Sequence, residues 1–505
     1  MEVAEIARRF ARKNLILTED ALNLLLSSRN VEAAVEKVLD DLRSMQERVV
    51  MVDAETLKRF IQMEEESKPP EVPQSRVGEL VHEKFRPISA EHEPRVKILK
   101  DVTGRSLGRG TVEDFHRIFK SRFEKLSRIL RGRPGMEHAV LISSLQSFEG
   151  ERVTVIGMVL EKRRFKGDTL AIELEDQTGT VTVLVTKANR KLLEKAERIV
   201  PDEVIAVQGR VSSSYGGRPR IFADQIEWPG APVSREVRRA EVPAAAVLIS
   251  DLHVGSDKFL EDVFARFVRW LRDGGETERE KELAGMVKYV VIAGDLVDGI
   301  GVYPEQYDEL LIPDIFRQYE TAAKLLADLP DHITVVISPG NHDAVRMAEP
   351  QPAIPKDMCP DLYDRGAVMV GNPALVSIEG VHLLIYHGRS FDDMVGVIPG
   401  AKREQPVELM KLMLEKRHLA PMYGGKVLFS PEKEDLFVIE EIPDIIHTGH
   451  THIHGCERYK DVLLVNSGTF QERTEYMKKL GVTPTPGKVS VVNLMTHEFT
   501  VLEFM

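Results

Sequence analysis

Cysteine is scarce in this sequence, where Cys359 and Cys456 are the two cysteines among 505 residues. Two cysteines cannot form a disulfide framework or a cysteine-rich zinc site, and such scarcity is typical of a reducing cytosol. Long apolar runs are missing too, since no stretch approaches the length of a membrane span. The N-terminal residues also lack the apolar core of a signal peptide. These absences predict a soluble, cytoplasmic protein without membrane contact.

The charge balance argues against a protein that coats nucleic acid over its whole surface, because the formal net charge is −12. Residues 95–135 are an exception, with twelve basic residues against four acidic ones. This basic stretch could meet phosphates or an acidic partner, or it could be a solvated arm. The composition leaves both interpretations open.

At 505 residues the chain is too long for one core, and its patterning divides it into several parts. Residues 1–60 carry apolar side chains at helical spacing and predict a helical, partner-binding module. Residues 61–137 begin acidic and proline-rich. We expect a flexible linker there, which includes the basic stretch and a short amphipathic helix between Phe115 and Leu130.

Residues 138–235 contain five strand-like runs separated by turn residues, with a helical segment between the third and fourth runs. Five strands with a helix after the third is the order of an OB-fold β-barrel, a fold often used on single-stranded nucleic acid. Many such barrels are only docking surfaces, so the order alone does not predict a ligand.

Residues 241–505 alternate strands rich in valine and isoleucine with helices, so the whole chain is predicted to be a multidomain α+β protein. Polar residues follow several of these strands directly. They form the stretches Asp251-Leu252-His253, GDLVD at 294–298, GNHD at 340–343, YHG at 386–388 and GHTH at 449–452.

These five stretches offer carboxylate, imidazole and amide ligands and no thiolate. The candidate ligands are Asp251, His253, Asp295, Asn341, His387, His450 and His452. The set exceeds what one tetrahedral metal needs and suits two divalent ions that share a bridge. A carboxylate should bridge, because a neutral imidazole cannot, and Asp295 is the natural choice. We expect Asp298 to support the site rather than to bind metal.

The order of the five stretches resembles the calcineurin-like metallophosphoesterase superfamily across residues 247–470, with every motif intact. The resemblance implies an αββα sandwich over 241–505 with two divalent ions, manganese being expected and iron or zinc being alternatives. It assigns one ion to Asp251, His253 and His452, the other to Asn341, His387 and His450, and the bridge to Asp295.

The same resemblance gives roles to two residues beside the ligands. His342 matches the histidine that assists the departing oxygen, and Asp343 would orient it. Arg389, just after His387, could bind a substrate phosphate or could pair with Asp392 or Asp393.

The order of domains resembles the small subunits of archaeal family D DNA polymerases, which are related to the B-subunits of eukaryotic replicative polymerases. That resemblance implies a proofreading 3′–5′ exonuclease that acts on DNA 3′ ends. It also implies a large catalytic polymerase subunit as partner, with a sliding clamp as a further candidate. Two alternatives stay open: a stand-alone phosphomonoesterase or cyclic-nucleotide phosphodiesterase, and a non-catalytic assembly subunit.

Overall fold

The computed structural model describes residues 85–505 apart from 107–109, 166–168 and 214–217, together with scattered positions among the first 52. The chain divides into two compact units, Met1–Glu83 and Lys84–Met505. No helix in the described part of the chain is long and apolar enough to cross a membrane.

The first unit is described at few positions. Two short strands, β1 (Ile16–Leu17) and β2 (Met51–Val52), pair in parallel. Several apolar residues whose spacing predicts the helical module are buried, namely Ile6, Phe10, Ala21, Leu25, Val35 and Val38. Most of the predicted helical module and the proline-rich part of the predicted linker lie outside the described residues.

The expectation of a flexible linker over 61–137 is wrong for its described part, because that part is built into the second unit. Strand β3 (Val96–Lys100) pairs antiparallel with the strand Ala374–Ile378. The predicted amphipathic helix exists and spans Val112–Arg131, beginning at a capping box formed by Thr111 and Asp114. Its apolar face packs against residues of the barrel.

The predicted barrel is closed and has the strand order β4-β5-β6-β8-β7. Its strands are β4 (Arg152–Phe165), β5 (Thr169–Asp176), β6 (Gly179–Val185), β7 (Val204–Ser213) and β8 (Pro219–Glu227). A helix, Arg190–Glu197, lies between the third and fourth strands, as the sequence predicts. Alternate residues of each strand fill the interior, among them Val155, Val183 and Val207.

The remaining strands form two six-stranded sheets. The first contains β9 (Ala245–Ile249), β10 (Val287–Ala293), β11 (Thr334–Ser338), β12 (Val368–Met369), β18 (Lys488–Asn493) and β19 (Phe499–Glu503). The second contains β3, β13 (Ala374–Ile378), β14 (Val381–Ile385), β15 (Ile445–Thr448), β16 (Gly455–Tyr459) and β17 (Val462–Asn466). Their orders are β12-β11-β10-β9-β18-β19 and β16-β17-β15-β14-β13-β3.

The two sheets face each other across one buried cluster, to which Leu248 and Val291 contribute from one side and Ile385 and Val465 from the other. Helices cover both outer faces. Helices Glu261–Asp273 and Ile315–Ala327 pack on the first sheet, and Phe391–Val397 and Pro406–Lys416 pack on the second. This double coverage explains why strands such as β9 and β10 are buried at every position.

The shorter helices lie in the connections between these elements and, in one case, before the barrel. They are the α-helices Glu278–Met286, Pro360–Asp364 and Glu475–Lys479 and the 3₁₀ helices Ile88–Glu91, Ile142–Phe148 and Gln306–Glu309.

Several cations of the basic stretch pair with acidic residues of the same chain. Lys125 contacts Glu434 and Glu440, and Lys100 also contacts Glu440. Arg122 is fully buried and donates to the buried carboxylate of Asp435 at 2.7 Å. The charge excess of this stretch is therefore partly neutralised inside the fold, which neither open interpretation of the sequence anticipates.

Two buried ion pairs, Arg122–Asp435 and Lys416–Glu203, lie where the barrel meets its neighbours, and we call them the barrel clasp. Besides contacting Asp435, Arg122 donates to the Asp202 carbonyl, which precedes β7, and to the Pro421 carbonyl. The second pair joins Lys416 to Glu203, and the Lys416 ammonium lies 4.4 Å from the centre of the Trp228 ring. Because all four charged side chains are withdrawn from water, each pair is stable only while both partners remain.

Replacing Arg122 by methionine should destabilise the protein, because it leaves Asp435 as a buried carboxylate that has lost its guanidinium partner. We expect the free energy of unfolding to fall by about 3–5 kcal/mol. Urea titration followed by tryptophan fluorescence measures this change. The matched control is Lys120→Met, since Lys120 pairs with Glu124 at the surface, where such pairs contribute about 0–1 kcal/mol. Equal stability of the two variants would contradict the prediction.

Candidate metal centre

The candidate ligands follow the carboxyl ends of parallel strands in both sheets. Asp251, Asp295 and Asn341 follow β9, β10 and β11, which pair in parallel. His387 follows β14, and both histidines of the GHTH stretch follow β15, which is parallel to β14. Since the sheets share one core, these ends meet at one edge of the sandwich. All seven predicted ligands are positioned there.

The backbone at most of these ligands is in the left-handed region. The residues and their φ angles are Asp251 53°, His253 55°, Asp295 52°, His450 68° and His452 60°. This conformation is uncommon for a residue with a Cβ, and it persists only where the surroundings impose it, most often at functional sites. The turns bring the side chains back over the strand ends toward one another.

Three positions next to the ligands require glycine, because a Cβ there would collide with a ligand side chain. A Cβ on Gly340 would lie 2.2 Å from Asp295 Oδ1, and one on Gly449 would lie 2.5 Å from Asp251 Oδ2. A Cβ on Gly294 would lie 2.4 Å from His387 Nδ1. The glycines of the GDLVD, GNHD and GHTH stretches therefore provide the space in which the ligands converge.

The ligand atoms gather into two overlapping groups. One contains Asp251, His253 and His452, and the other contains Asp251, Asp295 and His387, with the atoms of each group within 4.8 Å of one another. Asp295 Oδ2 lies 3.1 Å from His387 Nε2 and 3.8 Å from His253 Nε2. Asp295 therefore lies near a histidine nitrogen of each group, which is the position that a carboxylate bridging two ions would need.

Some polar atoms at this edge are buried and have no hydrogen-bond partner among the described residues. They include Asn341 Oδ1 and His452 Nδ1. In addition, His253 Nε2 and His452 Nε2 lie 3.1 Å apart, although neutral imidazole nitrogens gain little from facing each other. Buried polar atoms normally find partners. Nitrogen and oxygen donors that converge without partners fit a pair of divalent ions well.

The other ring nitrogen of several histidines is held by a neighbour. His253 Nδ1 contacts Asp298 Oδ1 at 3.0 Å, and His387 Nδ1 donates to the Ala293 carbonyl at 2.8 Å. His450 is held instead through Nε2, which lies 3.3 Å from Asp392 Oδ2. Such contacts fix which nitrogen of an imidazole faces a metal. Asp298 contacts His253 as a supporting residue would, and with His253 and His342 it also forms a third group of side chains that could hold a metal ion.

The charges at the site are strongly coupled. Burial alone would raise the pKa of Asp295, but His387 and the neighbouring histidines hold it well below its usual value. Burial would lower the pKa of His387, yet the charge of Asp295 raises it to about 10. The pKa of His452 is lowered to about 4, chiefly by burial. Asp295 therefore stays ionised and attracts positive charge.

His342 lies beside the ligand groups, with its ring 4.6 Å from that of His253. Its Nδ1 lies 2.7 Å from the Asp298 carbonyl and is held by it. The role expected for Asp343, orientation of His342, is thus performed by Asp298. Asp343 instead accepts hydrogen bonds from the Gly340 amide and the Tyr319 hydroxyl, and burial raises its pKa to about 6.

Arg389 lies at the rim of the site, where it donates to the Met347 carbonyl at 3.2 Å. Asp392, one of its expected partners, pairs with Arg403 instead. The other, Asp393, accepts from the Lys426 and Val427 amides. Sequence reasoning missed Arg403, because it follows no strand and belongs to no motif.

Comparison with known proteins places these features in a family. The model of the B-subunit family of DNA polymerases alpha and epsilon matches residues 246–456, and an OB-fold nucleic acid binding domain matches residues 153–228. The barrel is therefore an OB-fold. Among solved structures, an asparaginyl-tRNA synthetase from Pyrococcus horikoshii covers 18% of this chain and 22% of its own, with 20% identity and a TM-score of 0.17, too low to carry an argument.

Relatives match far more of the chain. The DNA polymerase II small subunit of Methanothermobacter thermautotrophicus is 40% identical over 97% of this chain and 98% of its own length. The protein of the same name from Archaeoglobus fulgidus is 45% identical over 78% of each chain. That from Pyrococcus furiosus is 44% identical over 78% of this chain and 64% of its own. The chain belongs to the family of DNA polymerase II small subunits, which form part of archaeal DNA polymerases.

Proposed function

We propose that this chain is a metal-dependent 3′–5′ exonuclease that proofreads for a two-subunit DNA polymerase. In this proposal residues 241–505 form a calcineurin-like phosphoesterase domain, with residues 138–235 as its OB-fold partner. The two six-stranded sheets with helices on both outer faces support that domain assignment.

One observation carries the proposal: the predicted ligands converge at one sheet edge through backbone turns that are unfavourable in themselves. The left-handed conformation at five of them would be costly without a function, because each such residue costs about 1–3 kcal/mol. Asn341 Oδ1 is buried and without a hydrogen-bond partner in the described structure, and a bound cation would supply that partner.

The donor set divides between two ions. Asp251, His253 and His452 would hold one, Asn341, His387 and His450 would hold the other, and Asp295 would serve both. When bound, a pair of divalent ions, proposed to be manganese, neutralises phosphate oxygens and makes a water nucleophilic near neutral pH. The neutral state of His452, favoured by its lowered pKa, leaves its nitrogen free to bind.

The protein's own groups surround the reacting phosphodiester. His342 Nδ1 donates to the Asp298 carbonyl, so only the imidazolium form of His342 carries a second proton, on Nε2, that it would give to the departing 3′ oxygen. Burial lowers the pKa of His342, so the charge of the neighbouring Asp295 would have to favour that form. Asp343 shapes the turn that carries Asn341 and His342, since it binds the Gly340 amide at its start. Arg389 is proposed to bind a phosphate at the rim, where a planar guanidinium suits phosphate geometry.

The proposal includes a partner and a substrate. Membership of a small-subunit family implies a large catalytic subunit, and the substrate is the 3′ end of a DNA strand. The helical module of residues 1–60 is proposed to bind a partner protein, and a sliding clamp is a further candidate.

Replacing Asp295 by asparagine should reduce nuclease activity to background, because the bridging charge is lost while the side-chain shape remains. His342→Ala should lower the rate by about 10²–10⁴-fold through loss of the proton donor. The measurement is removal of the 3′ nucleotide from a labelled oligonucleotide with added Mn²⁺. Asp331→Asn and His116→Ala, both at exposed positions, are the matched controls and should retain activity. Full activity in either site variant would sink the assignment.

The substrate class is tested by a second comparison. The protein should hydrolyse a labelled oligonucleotide with a mispaired 3′ end at least an order of magnitude more efficiently than p-nitrophenyl phosphate, because remote contacts to the strand contribute to the rate. Preference for the small ester would instead support a phosphomonoesterase. Hydrolysis of neither substrate, with two metal ions bound, would support an assembly subunit.

A further inference from the structure

Two residues outside the five motifs converge on one nitrogen of His450. Asp392 Oδ2 lies 3.3 Å from His450 Nε2. Arg403 Nη2 lies 2.5 Å from Asp392 Oδ1 and 3.2 Å from the same histidine nitrogen. Asp392 is in the first turn of the helix Phe391–Val397, whereas Arg403 is in the loop before the helix Pro406–Lys416. Two separate elements thus support this imidazole.

The contact with Asp392 favours one tautomer of His450. Asp392 accepts a hydrogen bond when Nε2 carries the proton, which leaves the lone pair on Nδ1, whereas the Arg403 guanidinium only donates and would need the lone pair on Nε2. Because the same Arg403 nitrogen is paired at 2.5 Å with the other oxygen of Asp392, we expect the Asp392 contact to decide the tautomer. His253 and His387 are held in the opposite sense, through Nδ1, which leaves their Nε2 atoms toward the site. His450 therefore depends on a support of a different kind from those of its neighbours.

We propose that Asp392 and Arg403 form a positioning pair that keeps His450 ready to bind the second ion, and so control the occupancy of that ion separately from the first. Arg403 acts through Asp392, because its guanidinium fixes the orientation of the carboxylate. This inference rests on the proposed function, since it presumes two ions at the site.

The pair contacts a proposed ligand of the second ion, although the two ligand groups share Asp251. The first ligand group consists of Asp251, His253 and His452, and the second-ion ligand His450 contacts the pair directly. His253 is oriented by Asp298 and not by Asp392. Loss of the pair should therefore weaken the second ion and leave the first unchanged.

The test is Mn²⁺ binding to the full chain, measured by equilibrium dialysis with elemental analysis and by electron paramagnetic resonance. Wild type should bind two ions and give the spectrum of a spin-coupled pair. Asp392→Asn should weaken the second ion about 10–100-fold, because an amide N–H that donates to Nε2 favours the wrong tautomer. Arg403→Met should weaken it less, and Arg403→Lys should restore most of the affinity.

Glu415→Gln is the matched control. Glu415 pairs with Lys460, their side chains being 20% and 24% exposed, close to the 22% and 20% of Asp392 and Arg403. This variant should bind both ions as wild type does. Two ions bound to Asp392→Asn with wild-type affinity would overturn the proposal, as would an equal loss in Glu415→Gln. Fewer than two ions on wild type would overturn the proposed function as well.

Discussion

The constraint on which the candidate metal centre depends is the burial of two carboxylates, Asp251 and Asp295, within 4.8 Å of a shared histidine nitrogen. Two buried negative charges this close are stable only if positive charge is supplied nearby. The surrounding imidazoles supply part of it, and a pair of divalent ions would supply the rest. The left-handed turns and the glycines without room for a Cβ follow from the need to bring these groups together.

The candidate ligands could be predicted from the sequence because each follows an apolar strand, and parallel strands end at the same edge of a sheet. The residues that support these ligands from other elements could not be predicted in this way. Asp392 and Arg403 are 58 and 47 residues from His450 along the chain, on a helix start and in a loop. The role predicted for Asp343 was orientation of His342, its neighbour in the sequence. In the structure, the turn instead points the Asp343 carboxylate toward the Gly340 amide.

The barrel and most core elements could also be predicted from the sequence, since strand spacing and turn residues are local features of the chain. The role of the basic stretch could not be predicted, because it depends on acidic residues about 300 positions away. Arg122 and Asp435, for example, are 313 residues apart. Composition shows an excess of charge but not where its counter-charges fold. A cation from this stretch can therefore be one of the most buried side chains in the protein.

The barrel clasp and the His450 edge of the candidate metal centre contact one common segment. Arg122 donates to the Pro421 carbonyl, and His418 contacts Asp435, the acid that Arg122 binds. Between them, the Leu419 carbonyl accepts from Ser390, at the start of the helix that carries Asp392. Residues 418–421 thus contact the helix Val112–Arg131 and Asp435 on one side and the support of His450 on the other. The proposed phosphoesterase domain without the helix Val112–Arg131 would lose a contact to the segment that supports His450, so this helix is linked to the scaffold of the candidate site.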